Sequence, residues 1–161
     1  MIYETILGWL TERGVAFRLH AHEAVRTIDD AEQKAPVLVE KLIKTVAFRV
    51  KDGGWVLAGV RSSDRIDYRK LAAVLGVNRR QLRSVSPQEI ESELGFEVGG
   101  VGPFPVRDDV TVIFDRHLRN AGTIYCGSGK NTQTLELAFE DLVEMTAGEI
   151  QAITREANDS P

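Results

Sequence analysis

Apolar residues recur at helical spacing at Ile6, Leu7 and Leu10 and stop at Gly14, which predicts an amphipathic helix over 3–14. The period then falls to two in VAFRLH (15–20), the pattern of a strand. Thr27 with Asp30 three positions on marks a helix start in TIDDAEQKA (27–35), closed by Pro36. LIKTVAFRV (42–50) and WVLAGVR (55–61) flank KDGG, the signature of a β-hairpin. DYRKLAAVLG (67–76) and SPQEIESELG (86–95) each close on glycine, and Ser86 with Pro87 supplies a cap and a first-turn proline, so both read as short helices. VTVIFD (110–115), TIYCG (123–127) and TLELAF (134–139) read as strands, while AFEDLVEMT (138–146) and AGEIQAITREA (147–157) read as helices. This mixture lacks regular βαβ alternation. It predicts an α+β fold, with a mixed, mostly antiparallel, curled or barrel-like β-sheet surrounded by helices.

With 161 residues, 43% of them hydrophobic and 27% charged, the chain is long enough for one well-filled core. Residues 1–157 read as a single domain and 158–161 as a flexible tail. No apolar run has the length of a membrane span, and the acidic, polar start is unlike a secretory leader. A single cysteine, Cys126, allows no internal disulfide, so a reducing, cytoplasmic location is expected.

The net charge of −4 is unevenly distributed. Residues 61–83 hold Arg61, Arg65, Arg69, Lys70, Arg79, Arg80 and Arg83 against only Asp64 and Asp67. Such a segment is either a solvated helix face or a surface for polyanions.

Two features suggest chemistry. Strand alternation places Lys44 with Leu42, Val46, Phe48 and Val50, the more apolar face of its strand. A buried ammonium needs an anion or must lose its proton, unless its stem lies along the apolar surface and its head reaches water. The second feature is EVGGVGPFPV (97–106), with three glycines and two prolines. Glycine lets main-chain N–H groups approach a ligand, and proline removes competing donors and fixes φ. The loop is a ligand cradle or a tight corner.

Other chemistries find no support. CGSGKN departs from a P-loop at Ile124 and Asn131, where glycine and Ser or Thr are required. His20, His22 and His117 with one cysteine make no zinc pattern, and Ser128 has no nucleophile elbow. Cys126 sits in an apolar strand as a core residue. No metal and no cofactor are expected.

The lysine in LIKTVAFRV, the segment RSSDRIDYRKLAAVLGV, the loop GFEVGGVGPFP and the late GSGKNTQTLELAFEDLVEMT occur in an order that resembles the YbaK/prolyl-tRNA synthetase insertion (editing) domain family, from about Tyr3 to Ala147. The resemblance implies a metal-independent deacylase that hydrolyses amino acids wrongly esterified to tRNA, first of all cysteine or alanine on proline tRNA. It places the family's catalytic lysine on Lys44 and its G-x-x-x-P loop on Gly99 to Pro103, with backbone donors from Gly99, Gly100 or Gly102. Substrate contacts fall on Pro103, Ser128 and Glu136; some relatives carry Asp at the last position. The basic residues Arg61, Arg65, Arg69, Lys70, Arg79 and Arg80 become a surface for the acceptor end of aminoacyl-tRNA, and prolyl-tRNA synthetase becomes a plausible partner. The alternatives are a non-catalytic tRNA- or synthetase-binding module of the same fold, and a small-molecule phosphate or nucleotide binder using Lys44 and GSGKN.

Overall fold

A computed structural model of the chain describes residues 1–24, 26, 27, 29, 33 and 41–156. The expected helix over 27–35 and the tail at 158–161 lie largely or wholly outside these residues. In chain order the elements are α1 (Ile2–Glu12), β1 (Phe17–Ala21), β2 (Ile43–Val50), β3 (Trp55–Arg61), α2 (Tyr68–Leu75), β4 (Leu82–Ser84), α3 (Pro87–Leu94), β5 (Val110–Asp115), β6 (Thr123–Gly127), β7 (Gln133–Ala138), α4 (Phe139–Thr146) and β8 (Glu149–Gln151).

Local chemistry accounts for the helix boundaries. The Asp67 side chain accepts from the backbone N–H groups of Arg69 and Lys70 at the start of α2, and Gly76 ends the helix at φ 71°. Ser86 accepts from Glu89 N–H at the start of α3, Pro87 occupies the first turn, and Gly95 closes it at φ 86°.

The strands form two sheets in the orders β1-β7-β6 and β4-β2-β3-β5-β8. Four pairings are antiparallel; β3–β5 and β5–β8 are parallel. A bridge between Leu42 and Tyr125 ties the start of β2 to β6. The expected mixed, mostly antiparallel sheet is therefore present, and it curls without closing into a barrel.

The five-stranded sheet separates two cores, as a period-two strand must when both faces are covered. Trp55, Leu57, Val112 and Phe114 face the larger core, with Ile6 and Leu10 of α1, Ile90 and Leu94 of α3, and Leu135 and Leu137 of β7. Val56, Ala58, Val60 and Ile113 face a smaller core covered by Leu71 and Ala72 of α2.

One element differs in kind from its expectation. The helix expected over 147–157 is not formed at its described residues, 147–156. Ala147, at φ 54°, ends α4, and β8 then pairs in parallel with β5. Ile150 packs on the larger core and Ile153 is buried in the smaller one. The Asp115 carboxylate accepts the Ile153 N–H at 3.0 Å, giving this backbone a partner that a helix would have supplied internally. The three-residue β4, paired to Phe48–Val50 of β2, is an element that the sequence pattern had not suggested. Among the described residues, no helix is long and apolar enough to cross a membrane.

Candidate functional site

The candidate site begins with an interruption in strand pairing. β2 pairs with β3 from Ile43 to Arg49, and its other neighbours are Tyr125, bridged at Leu42, and β4, paired only from Phe48. Among the described residues, positions 43–47 therefore have a strand partner on one side only. A cleft of about 330 Å³ opens there and is lined by every residue from Leu42 to Ala47. Facing them are Val85 and Ile90, Val98, Gly99 and Val101 from the glycine loop, and Gly127, Lys130 and Thr134. The wall is mostly apolar, with polar groups at a few points, as small-molecule sites usually are.

Lys44 lies on this wall and also on that of a neighbouring cleft. Its strand face is the expected one: Val46, Phe48 and Val50 belong to the smaller core. The other face also reaches a core, because Ile43 and Ala47 are buried in the larger one. The half-buried ammonium donates to the main-chain carbonyl oxygen of Asp64 at 2.8 Å. Burial holds its pKa below the ordinary lysine value; the Asp64 charge opposes that shift and Arg65 adds to it.

The glycine loop is bound to residues 127–131. Glu97 N–H donates to Gly129 O at 3.0 Å, Gly129 N–H to Gly100 O at 2.8 Å, and Asn131 Nδ2 to Val98 O at 2.9 Å. The contact is so close that a Cβ on Gly102 would collide with the carbonyl of Gly127, and one on Gly127 with the carbonyl of Val101. Glycine is thus needed on both sides for backbone to meet backbone. Of the loop's expected donors, Gly99 is exposed and lines the cleft at φ 87°. Gly100, Gly102 and Pro103 are buried behind it, and Gly100 N–H already donates to Glu97 O at 2.7 Å.

Ser128 and Glu136 are not among the cleft's lining residues. Ser128 is fully buried; its hydroxyl donates to Gln133 O at 2.5 Å and so shapes the loop beneath Lys130. Glu136 projects from β7 towards His20, with Oε1 and Nε2 2.7 Å apart. The next rung, His22 Nε2 to Thr134 Oγ1 at 2.8 Å, does reach the cleft. Thr45 also lines it, with a hydroxyl that has no hydrogen-bond partner among the described residues. Neither Thr45 nor the His22–Thr134 rung was singled out from the sequence. For Thr45 the available signal was a polar residue beside Lys44 in an apolar strand.

The basic residues fall into two groups. Arg61 makes a two-pronged bond to the Asp64 carboxylate at 2.7 and 3.1 Å, Lys70 donates to Thr154 O, and Arg79 lies 4.4 Å from the centre of the Tyr68 ring. Arg65, Arg69 and Arg80 are exposed, as are Arg61 and Arg79. Near Arg61, Asp64, Asp115 and His117 bring one potential ligand atom each within 4.8 Å of one another. These groups already have donors: Asp64 has Arg61, and buried Asp115 has the N–H groups of Ile153 and His117 and the His117 ring at 2.7 Å. Burial acts to raise the Asp115 pKa, but the two backbone N–H groups, the imidazole and the Thr154 hydroxyl outweigh it and hold the carboxyl below its ordinary value. This arrangement is a hydrogen-bonded ion network. Burial pushes the Cys126 thiol pKa strongly upward, so this cysteine is an inert core group.

The aminoacyl-tRNA editing domain family matches residues 22–145. YwhH of Bacillus subtilis (strain 168), an uncharacterized protein, is 27% identical over 124 residues, which is 77% of each chain. The proline–tRNA ligase of Limosilactobacillus fermentum is 30% identical over 115 residues, 69% of this chain and 19% of the ligase. This chain therefore matches about a fifth of that ligase's length. Among solved structures, protein APE2540 superposes with a TM-score of 0.81 at 23% identity, over 93% of this chain and 99% of the other. A proposed trans-editing enzyme for prolyl tRNA synthetase superposes with a TM-score of 0.79 at 22% identity, over 96% and 97% of the two chains. At these identities the structural likeness is one of fold.

Proposed function

Because the chain belongs to the aminoacyl-tRNA editing domain family, that of YbaK and the prolyl-tRNA synthetase insertion domain, we propose that it is a trans-acting deacylase of mischarged aminoacyl-tRNA. The observation that carries this reading is that Lys44 and Gly99 line one cleft, at the stretch of β2 that has a single strand neighbour among the described residues.

The substrate is an ester between an amino acid and the terminal ribose, already activated for hydrolysis. Water adds to the carbonyl carbon, the tetrahedral oxyanion collapses, the C–O bond to the ribose breaks, and the ribose oxygen takes up a proton. The free ribose hydroxyl or the substrate's own amine relays the proton lost by the water. No covalent nucleophile on the protein is required. Lys44 holds the terminal phosphate as a point charge. Gly99 offers a backbone N–H to the ester or ribose, a contact of the kind worth about 10²- to 10³-fold when aimed at a developing oxyanion. Gly100 and Gly102 serve by holding the loop against residues 127–130. Exposed Arg65, Arg69 and Arg80 supply the acceptor-stem surface.

Ile43, Ala47, Val85, Ile90, Val98 and Val101 make the cleft suitable for a small uncharged side chain, with alanine and cysteine first. The test is release of labelled amino acid from a panel of mischarged tRNAs, varying amino acid and tRNA separately, by wild type and Lys44→Ala. A loss of at least about tenfold is expected for the variant, corresponding to one charged contact. Equal rates would overturn the reading, and binding without turnover on every substrate would favour the docking module instead.

A further inference from the structure

The second cleft, of about 390 Å³, lies beside the first and shares Lys44 with it. Its floor is apolar, with Val46, Phe48 and Ile66, and its remaining charged residues are Arg65 and Arg155. The two arginines are placed opposite each other by the backbone. Ile66 and Thr154 form an antiparallel bridge, with Asp67 N–H donating to Ile153 O at 2.8 Å and Arg155 N–H to Arg65 O at 2.9 Å.

Like charges directly opposite in an antiparallel pair are destabilising. Here a third cation, Lys44, joins them. Among the described residues, no carboxylate pairs with either arginine. The adjacent Asp64 is engaged by Arg61 at 2.7 Å and Glu156 by Arg116 at 2.7 Å. Arg65 is close enough to Lys44 to add to the lowering of its pKa, although the Asp64 charge opposes this more strongly. Three cations around one cavity call for an anion, and two guanidinium forks beside an ammonium suit the several oxygens of a phosphate.

We propose that Lys44, Arg65 and Arg155 form a phosphate site, filled by a phosphodiester of the RNA strand whose 3′ end occupies the first cleft. The choice of RNA rests on the deacylase reading, because a strand passing from one cleft to the other must cross Lys44. Arg155 follows β8 and lies beyond the residues 22–145 that match the family, so the family match itself does not assign it a role.

The experiment uses the full chain with two probes: inorganic phosphate, and an uncharged RNA hairpin ending in CCA. Binding is read by titration over a range of salt and by thermal unfolding. For wild type, both probes should raise the unfolding midpoint. Arg155→Gln should weaken hairpin binding about ten- to hundredfold, the range for one charge-assisted hydrogen bond. It should also reduce the salt slope by about one, as expected when one phosphate contact is removed. Arg155→Lys should recover the salt slope. With a mischarged tRNA, the Arg155→Gln defect should appear in KM rather than kcat.

Unchanged affinity and salt slope in both Arg155→Gln and Arg65→Gln would overturn the site. Phosphate binding abolished by these variants while hairpin binding is untouched would overturn the RNA assignment and support a free phosphate ligand. Hairpin binding that depends on Arg155, in a wild type that hydrolyses no aminoacyl-tRNA, would support the site and overturn the deacylase reading.

Discussion

Lys44 Nζ lies 2.8 Å from the main-chain carbonyl oxygen of Asp64, while the carboxylate of that same Asp64 is gripped by Arg61. One residue thus anchors the ammonium through its backbone and fixes its own loop through its side chain. The result is a cation of defined position that, among the described residues, has no carboxylate hydrogen-bonded to it.

This arrangement predicts an alkaline limb in the pH profile. The Lys44 pKa is lowered from 10.5, so its charge is lost at a lower pH than that of a free lysine. Deacylation dependent on the cation should therefore decline as pH rises, with a midpoint below 10.5, and Lys44→Arg should retain whatever activity it has over the range where wild type declines. Measurement of kcat/KM against pH for the two proteins decides the matter.

The backbone contact between the two loops predicts a stability effect at a position away from the cleft wall. Gly102→Ala should destabilise the protein by about 1–3 kcal/mol, the usual cost of overpacking, because its methyl group meets the Gly127 carbonyl. Urea unfolding measures this. An unchanged midpoint would show that the loops separate without cost.

Much of this architecture was legible because its causes are local. The caps Asp67 and Ser86, and the stops Gly76 and Gly95, act within one helical turn, and the period-two pattern of β2 put Lys44 on its correct face. Residues 147–157 were misread because Ile150 and Ile153, three apart, fit a helical stripe as well as they fit a strand that turns from one core to the other. What decides between them is β5 and the Asp115 carboxylate, more than thirty residues earlier in the chain. The glycine loop was noticeable for its composition. Which glycine faces the cleft, and which is buried against Gly127, depends on a partner loop that spacing alone does not reveal.

Asp115 predicts an acid-sensitive component of stability. A carboxyl held below its ordinary pKa contributes stability that is fully present above the unfolded value of 3.8 and is lost as pH falls through the folded value. Asp115→Asn should cost about 1–3 kcal/mol at neutral pH, the range for disturbing a buried hydrogen-bonded group. Its unfolding midpoint should then vary less than that of wild type between pH 5 and about pH 2. Parallel profiles for the two proteins would contradict this role.

The cleft wall predicts a tunable preference among esters. Val85 is half-buried, lies on the wall and packs at the edge of the larger core. Val85→Phe should disfavour the larger aminoacyl groups and Val85→Ala should admit them, with shifts of about 10- to 200-fold per methylene in relative kcat/KM. Competition between alanyl- and larger aminoacyl-tRNAs reads the shift. Indifference to both changes would mean that the aminoacyl group sits elsewhere.

The interrupted pairing of β2 has a cost besides its use. A length of strand with a partner on one side only among the described residues is a template on which a second polypeptide can zip, and proteins commonly guard such borders with lysine. Lys44 stands on that border and carries a charge of that kind. Replacing it with an aliphatic residue is expected to favour self-association at high concentration, through the same opening, which sedimentation of the variant against wild type would show.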